Sequence, residues 1–145
     1  MTELTNTQKI VLGALAESSL KNDFYWTGGT ALSAVYLHHR LSEDIDLFSD
    51  KKFPGETARE FIVLVSKRVH LERVEEKKVH DRHEFFLRNG DTVRVEFVPY
   101  EYPTLQPRKE GEGIFVDSLD DIAANKTVAL MDRNEPKDAV DLYFL

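Results

Sequence analysis

Residues 27–48 read TGGTALSAVYLHHRLSEDIDLF, and the fold turns on how this stretch is parsed. Upstream, Phe24, Tyr25 and Trp26 form a short apolar run that reads as a buried strand, with Trp26 as core. Gly28–Gly29 interrupts it, and a helix is expected over residues 30–39, with Leu32, Val35, Tyr36 and His39 along one face. In 44–48, DIDLF, polar and apolar residues alternate at period two, the pattern of a strand with two different faces. Strand, double glycine, helix and acidic strand therefore follow one another within a short span.

That order has chemical content. Glycines between a strand and a helix let the backbone approach a ligand closely. The helix N-terminus that follows offers free N–H groups and a partial positive charge, which suits phosphate. Asp44 and Asp46 are two residues apart on one strand, so their carboxylates share a face, with Cα atoms about 6.5 Å apart. Two acids this close repel unless a cation or a proton intervenes. Mg²⁺, a hard ion that takes oxygen ligands and substrate phosphates, is the expected partner, with Mn²⁺ as its substitute. In a later segment Arg94 and Glu96 share one face while Val93, Val95 and Phe97 share the other, so Glu96 is the candidate third carboxylate.

Working outward, residues 6–20 carry helical spacing with Thr5 or Asn6 as N-cap. Pro54–Gly55 opens a helix to about Val69. Strand-like segments cover 71–80 and 83–88, and Asn89–Gly90 marks a hairpin into 92–98. Residues 99–113 hold three prolines and two glycines and read as an irregular loop. Ser118 caps a helix to about Arg133 with Asp121 at the third position, and a last helix runs from about Pro136. The sum is one α/β (α+β) domain over 1–145, a mixed sheet flanked by helices.

Composition bounds the rest. The chain has 145 residues, 41% hydrophobic and 31% charged, with no cysteine and a net charge of −7. That excludes a disulfide framework and a thiolate metal site, and it argues against broad nucleic-acid binding through a basic surface. The runs 66–82 and 106–109 are the basic segments, but acids are interleaved or adjacent, so both read as solvated faces. No signal peptide is evident at the start, and no apolar run approaches the ~20 residues that span a bilayer. A cytoplasmic protein without a membrane partner is the expectation.

The quoted stretch resembles the nucleotidyltransferase superfamily of the DNA polymerase β fold, and within it the AbiEii toxin type. The resemblance rests on Gly28-Gly29-Thr30-Ala31-Leu32, then His39-Arg40-Leu41-Ser42-Glu43-Asp44-Ile45-Asp46-Leu47-Phe48. Downstream it continues through Lys126, Arg133, Lys137-Asp138 and Asp141-Leu142-Tyr143. It implies a polymerase β-like fold and transfer of a nucleoside monophosphate from an NTP to an acceptor, RNA or tRNA in the best-known relatives. A toxin role with a cognate antitoxin follows from the same likeness. The implied roles are Asp44, Asp46 and Glu96 on the metal, Gly28, Gly29, Thr30, Arg40 and Ser42 on the triphosphate, and Lys126 on phosphate. The gap from Gly29 to Asp44 is longer than the superfamily's usual one, which a longer helix absorbs. Glu96 stands where relatives more often have Asp, and many relatives continue into a further helical region.

Alternatives stay open from the residues alone. Lys126 sits on an inward helical stripe, where it either contacts phosphate or pairs with Asp138 or Asp141. Those two acids, three apart on one face, read as packing and pairing partners of Lys126 or Arg133, and are secondary site candidates. His38 and His39 read as a helix cap or solvent-facing, and His80 and His83 match no metal motif. A catalytically silent domain that keeps the fold as an interaction module is the rival to the enzyme. A metal-dependent nuclease would leave the double glycine unexplained.

Overall fold

The computed structural model describes residues 4–133 and 135–145. Helix α1, Asn6–Ala16, starts at Thr5, whose hydroxyl accepts from the Gln8 amide while the Gln8 side chain accepts from the Thr5 amide, a full capping box. It ends earlier than the expected 6–20. Ser19–Asn22 winds instead as a separate 3-10 turn capped by Ser18. Strand β1 is Tyr25–Thr27, and α2, Gly28–Ala31, begins directly on the double glycine.

The helix then widens. Residues Leu32–Leu37 are π-wound, and the His38 amide donates to the Ser33 carbonyl five residues back at 2.9 Å. His38 closes it in the left-handed conformation at φ 54°. The extra length before Asp44 is thus taken up by wider winding, where a longer helix was expected. Strand β2, Ile45–Ser49, follows, then α3, Gly55–Ser66, which stops short of Val69.

Strands β3 (Arg73–Val79), β4 (Arg82–Asn89) and β5 (Asp91–Pro99) form a meander, with Gly90 at φ 75° in the turn between β4 and β5. The span 99–113, expected to be irregular, contains a second hairpin, β6 (Lys109–Gly111) and β7 (Ile114–Val116). Its turn, Glu112–Gly113, has positive φ at both residues, the primed geometry that suits strand twist. With Glu in place of Asn, and three-residue strands too short to show alternation, it left little trace in the sequence. Helices α4, Leu119–Arg133, and α5, Pro136–Phe144, complete the chain.

The seven strands order as β3-β4-β5-β2-β1-β7-β6 in one mixed sheet. β2 runs parallel to β5 and antiparallel to β1, and β1 runs parallel to β7. One face carries Trp26, Ile45, Leu47, Phe85, Leu87, Val93, Val95 and Phe97, buried with α1 and α3 residues such as Val11, Leu15, Phe61 and Val65. The period-two alternation of β2 and β5 puts their polar residues on the other face, towards α4 and α5. β3 is exposed along its whole length. Its charges pair outward, as in Arg59–Glu76 and Arg73–Glu75, consistent with a solvated face for 66–82. Among the described residues no helix is long and apolar enough to cross a membrane.

Candidate active site

Gly28 has φ 83°, and a Cβ built there would lie 2.1 Å from the Asp46 carboxylate oxygen Oδ2. The register explains the contact. Thr27 pairs with Asp46 across β1 and β2, so the acid's side chain rises beside the turn where α2 starts. Among the described residues no side chain caps the α2 N-terminus, where N–H groups can face a ligand. Gly29 is equally tight, since its Cβ would fall 2.4 Å from Arg40 Nη2 and 3.3 Å from Lys126 Nζ. The two missing side chains therefore admit an acid on one side and two cations on the other.

Thr30 and Ser42 hold the loop before β2. The buried Thr30 hydroxyl lies 2.6 Å from the Ser42 hydroxyl and donates to the Asp44 carbonyl. Ser33 donates to the Arg40 carbonyl, and the Gln8 amide donates to the Ser42 carbonyl at 2.8 Å. Both Thr30 and Ser42 thus spend their side chains on positioning Asp44, and Ser42 also lines the cleft described below.

Glu96 stands opposite Asp46 in the β2–β5 ladder, and Asp44 immediately precedes β2. Arg94 lies among them. Its Nη2 donates to Asp44 at 3.1 Å, and its Nη1 is 3.3 Å from Glu84 and 3.5 Å from Glu96. Arg82 reaches Glu96 at 3.1 Å and Lys137 reaches Asp44 at 3.7 Å. These cations do not balance the acids. Burial pushes the Asp46 carboxyl up against the pull of Arg94, and Asp44 pushes it the same way. Burial, then the Asp46 charge, push Glu96 up to about 7. The all-oxygen donor set and the unrelieved repulsion suit a hard divalent ion. Among the described residues, however, no three His, Asp or Glu side chains close on a single point to hold one. The Arg94 guanidinium takes that place.

The second charged cluster joins α4 and α5 to the loop after α2. Lys126 Nζ is 2.9 Å from Asp138 and 2.8 Å from Asp141, and both acids are fully buried. Asp141 also receives Arg40 through two parallel bonds, 2.6 and 2.8 Å, and His39 at 2.6 Å. Arg133 holds Asp138 at 2.7 Å. Burial alone would raise both acids, but hydrogen bonds from Arg133 and Lys126 at Asp138, and from Arg40, Lys126 and His39 at Asp141, hold both well below the usual carboxylate range. His39 is therefore neither a helix cap nor solvent-facing. Its side chain is 1% exposed and lies against Asp141. His38 is exposed and supplies the left-handed terminus.

Between these clusters lies a cleft of about 370 Å³ lined by Gly28, Gly29, Asp44, Asp46, Glu96 and Lys126 among others. Six basic and four acidic side chains line it, so it is locally basic in a chain of charge −7. Sequence reading overlooked Arg82, Asn125 and Tyr100 here. The basic side chains are scattered over the loop before β2, β4, β5, α4 and α5, with two of them on α4, and neither 66–82 nor 106–109 supplies the concentration of charge, although Arg82 ends the first run. A buried lysine among helical apolar positions was the one local signal for this wall.

The model of a family described as nucleotidyl transferase AbiEii toxin, type IV TA system, matches residues 10–145. The uncharacterized protein aq_aa25 of Aquifex aeolicus (strain VF5) is 36% identical over 148 residues, covering 100% of this chain and 68% of its own. A crystal structure from H. pylori, provisionally assigned as a nucleotidyltransferase, superposes with a TM-score of 0.75 at 22% identity over 96% of this chain and 64% of that one. JHP933 from Helicobacter pylori gives 0.74 at 22% identity, covering 99% and 67%. The Megavirus polyadenylate synthase gives 0.66 at 14% identity, covering 95% of this chain and 30% of that one. The solved structures share the fold, and this chain spans about two thirds of the length of aq_aa25 and of the H. pylori proteins.

Proposed function

The chain belongs to the AbiEii nucleotidyltransferase toxin family, and on that premise we propose that it transfers a nucleoside monophosphate from an NTP to an RNA acceptor such as tRNA, using Mg²⁺ or Mn²⁺. One observation carries the reading. The Asp46 carboxylate lies against Gly28, so the acids and the helix N-terminus face the same space.

In this reading the N–H groups at Gly28 and Gly29 receive the triphosphate, with Arg40 and Lys126 as the cations behind them. Lys126 serves both readings of the sequence, since it is paired with Asp138 and Asp141 and still borders the cleft. Asp44, Asp46 and Glu96 would hold the divalent ion, which when bound supplies charge stabilisation at the phosphates. The acceptor hydroxyl oxygen bonds to the α-phosphorus as the bond to the β-phosphate bridging oxygen breaks, releasing pyrophosphate. Glu96, pushed up to about 7 first by burial, takes the hydroxyl proton. A toxin role with an antitoxin partner belongs to the same proposal and draws on the family.

The test is incubation with each labelled NTP, Mg²⁺ and total RNA. Labelled RNA is expected from the wild-type chain, and none from the variant carrying Asp44→Asn with Asp46→Asn. Equal labelling by both would sink the assignment. Arg94 favours one other reading, a catalytically silent module in which the guanidinium replaces the ion for good. Calorimetry showing no Mg·NTP binding by the folded chain would decide for it.

A further inference from the structure

We propose that Phe48, Tyr100 and Tyr102 form a stacking shelf for a nucleobase at the outer end of the cleft. The inference rests on the nucleotidyltransferase reading and names the base-binding part of the same site. Phe48 follows Asp46 by two residues on β2, so the ring stands on the face that carries the acids, one strand repeat further from the glycine turn. From there the aromatic series continues outward. Phe48 and Tyr100 have ring centroids 5.3 Å apart, and Tyr100 and Tyr102 are 4.8 Å apart. Phe48 and Tyr100 line the cleft, while Tyr102 is 68% exposed.

A series of rings serving only to bury apolar area would close on itself, whereas this one runs from the cleft onto the surface. The segment that presents it is anchored on either side of the rings. The Tyr100 amide donates to the Ser49 carbonyl at 2.7 Å. The Leu105 and Gln106 amides donate to Asp121. Arg108 forms two bonds to Asp50, with its guanidinium 3.6 Å over the Tyr25 ring. The shelf is held in place before any ligand arrives, which lowers the ordering cost of binding. The Tyr100 hydroxyl donates to Asn125 Oδ1 at 3.0 Å, so the Asn125 amide nitrogen is the atom left to donate to a base edge. Planar π-faces with one edge donor suit any base, and such stacking tolerates sequence.

The base belongs either to the incoming NTP or to the RNA acceptor, and three probes separate these sources: Mg·ATP, Mg·tripolyphosphate and a single-stranded hexa-adenylate RNA. Binding is measured for the wild-type chain and for Tyr100→Ala, Tyr102→Ala and Tyr100→Phe. The exposed Tyr102 makes its variant safe for folding, and Tyr100→Phe keeps the ring. The expected result is a loss of about five- to hundredfold for a base-bearing probe in the alanine variants. Tripolyphosphate should be unaffected, and Tyr100→Phe should bind nearly as wild type. Loss confined to ATP assigns the incoming nucleotide, and loss confined to RNA assigns the acceptor. The shelf is overturned if the alanine variants bind every probe as wild type does, or lose tripolyphosphate equally. Wild-type chain that binds tripolyphosphate as tightly as ATP and shows no RNA affinity overturns the shelf alone. Failure to bind any of the three brings down the nucleotidyltransferase reading with it.

Discussion

Two charged clusters face each other across the cleft, and they differ in how their charges are matched. At the α4–α5 cluster Asp138 and Asp141 meet Lys126, Arg133, Arg40 and His39 at 2.6–2.9 Å, and both acids are held well below the ordinary range. At the β2–β5 cluster Asp44, Asp46 and Glu96 share Arg94 with Glu84, and burial pushes Asp46 and Glu96 up. The first cluster is complete as folded and acts as a clamp. The second carries excess negative charge. On the proposed function the carboxylates of the first wall serve stability, whereas those of the second would hold the metal ion.

Substitutions should expose that difference. The largest effect expected is on transfer: Asp44→Asn with Asp46→Asn should lower the rate by at least about a thousandfold, equivalent to several kcal/mol of lost charge stabilisation. Denaturant unfolding of the same variant should show stability unchanged or raised, because repelling carboxylates have been removed. Asp141→Asn should do the reverse to the fold, costing about 3–5 kcal/mol by leaving buried cations unpaired. A double-asparagine variant as unstable as Asp141→Asn would erase the contrast.

Metal should act on one wall only. Millimolar Mg²⁺ at a hundred times its dissociation constant should stabilise the wild-type chain by about 2.7 kcal/mol, seen as a raised Tm. Asp46→Asn should lose that gain and Asp141→Asn should keep it.

Acidity separates the walls more gently. Asp138 and Asp141 are depressed in the folded chain, so their stabilisation is fully present above about pH 4 and is lost as pH falls towards their folded values. Asp117, which belongs to neither wall, behaves oppositely. Burial pushes it up to about 6, with one oxygen held by Thr27 at 2.9 Å and the other without a partner among the described residues. A raised acid binds more protons folded than unfolded, so its contribution weakens as pH rises from about 4 through 6. Unfolding followed against pH should show that slope in the wild-type chain and a flatter one in Asp117→Asn. An unchanged slope would clear Asp117 of the effect.

How much of this was readable beforehand depends on the range of each interaction. The β2 alternation, the double glycine and the N-cap at Thr5 are local patterns, and each marks its element, the alternation also giving the face that its side chains take. The clamp is not local. Pairing of Lys126 with Asp138 or Asp141 was one expected alternative and is present, but Arg40 and His39 reach Asp141 from 101 and 102 positions away, and no spacing rule links them. Arg94 was seen to share a face with Glu96, but its place among the acids depends on which strands neighbour β5. The β6–β7 hairpin was missed because its strands span three residues each. Turn chemistry at Glu112–Gly113 was its only mark.

The wide winding of Leu32–Leu37 has a consequence for variation in length. A π turn holds one residue more than an α turn, so this segment works as a spacer between the glycine turn and Arg40. Deleting one residue there would let the segment rewind as α with both ends close to their places, whereas inserting one more would carry everything beyond it round by roughly 100° about the axis. An insertion would therefore swing Arg40 and His39 off Asp141, although every one of the interacting side chains is still present. At this point in the chain the number of residues matters more than their identity, and a single-codon insertion is a sharper probe than any substitution.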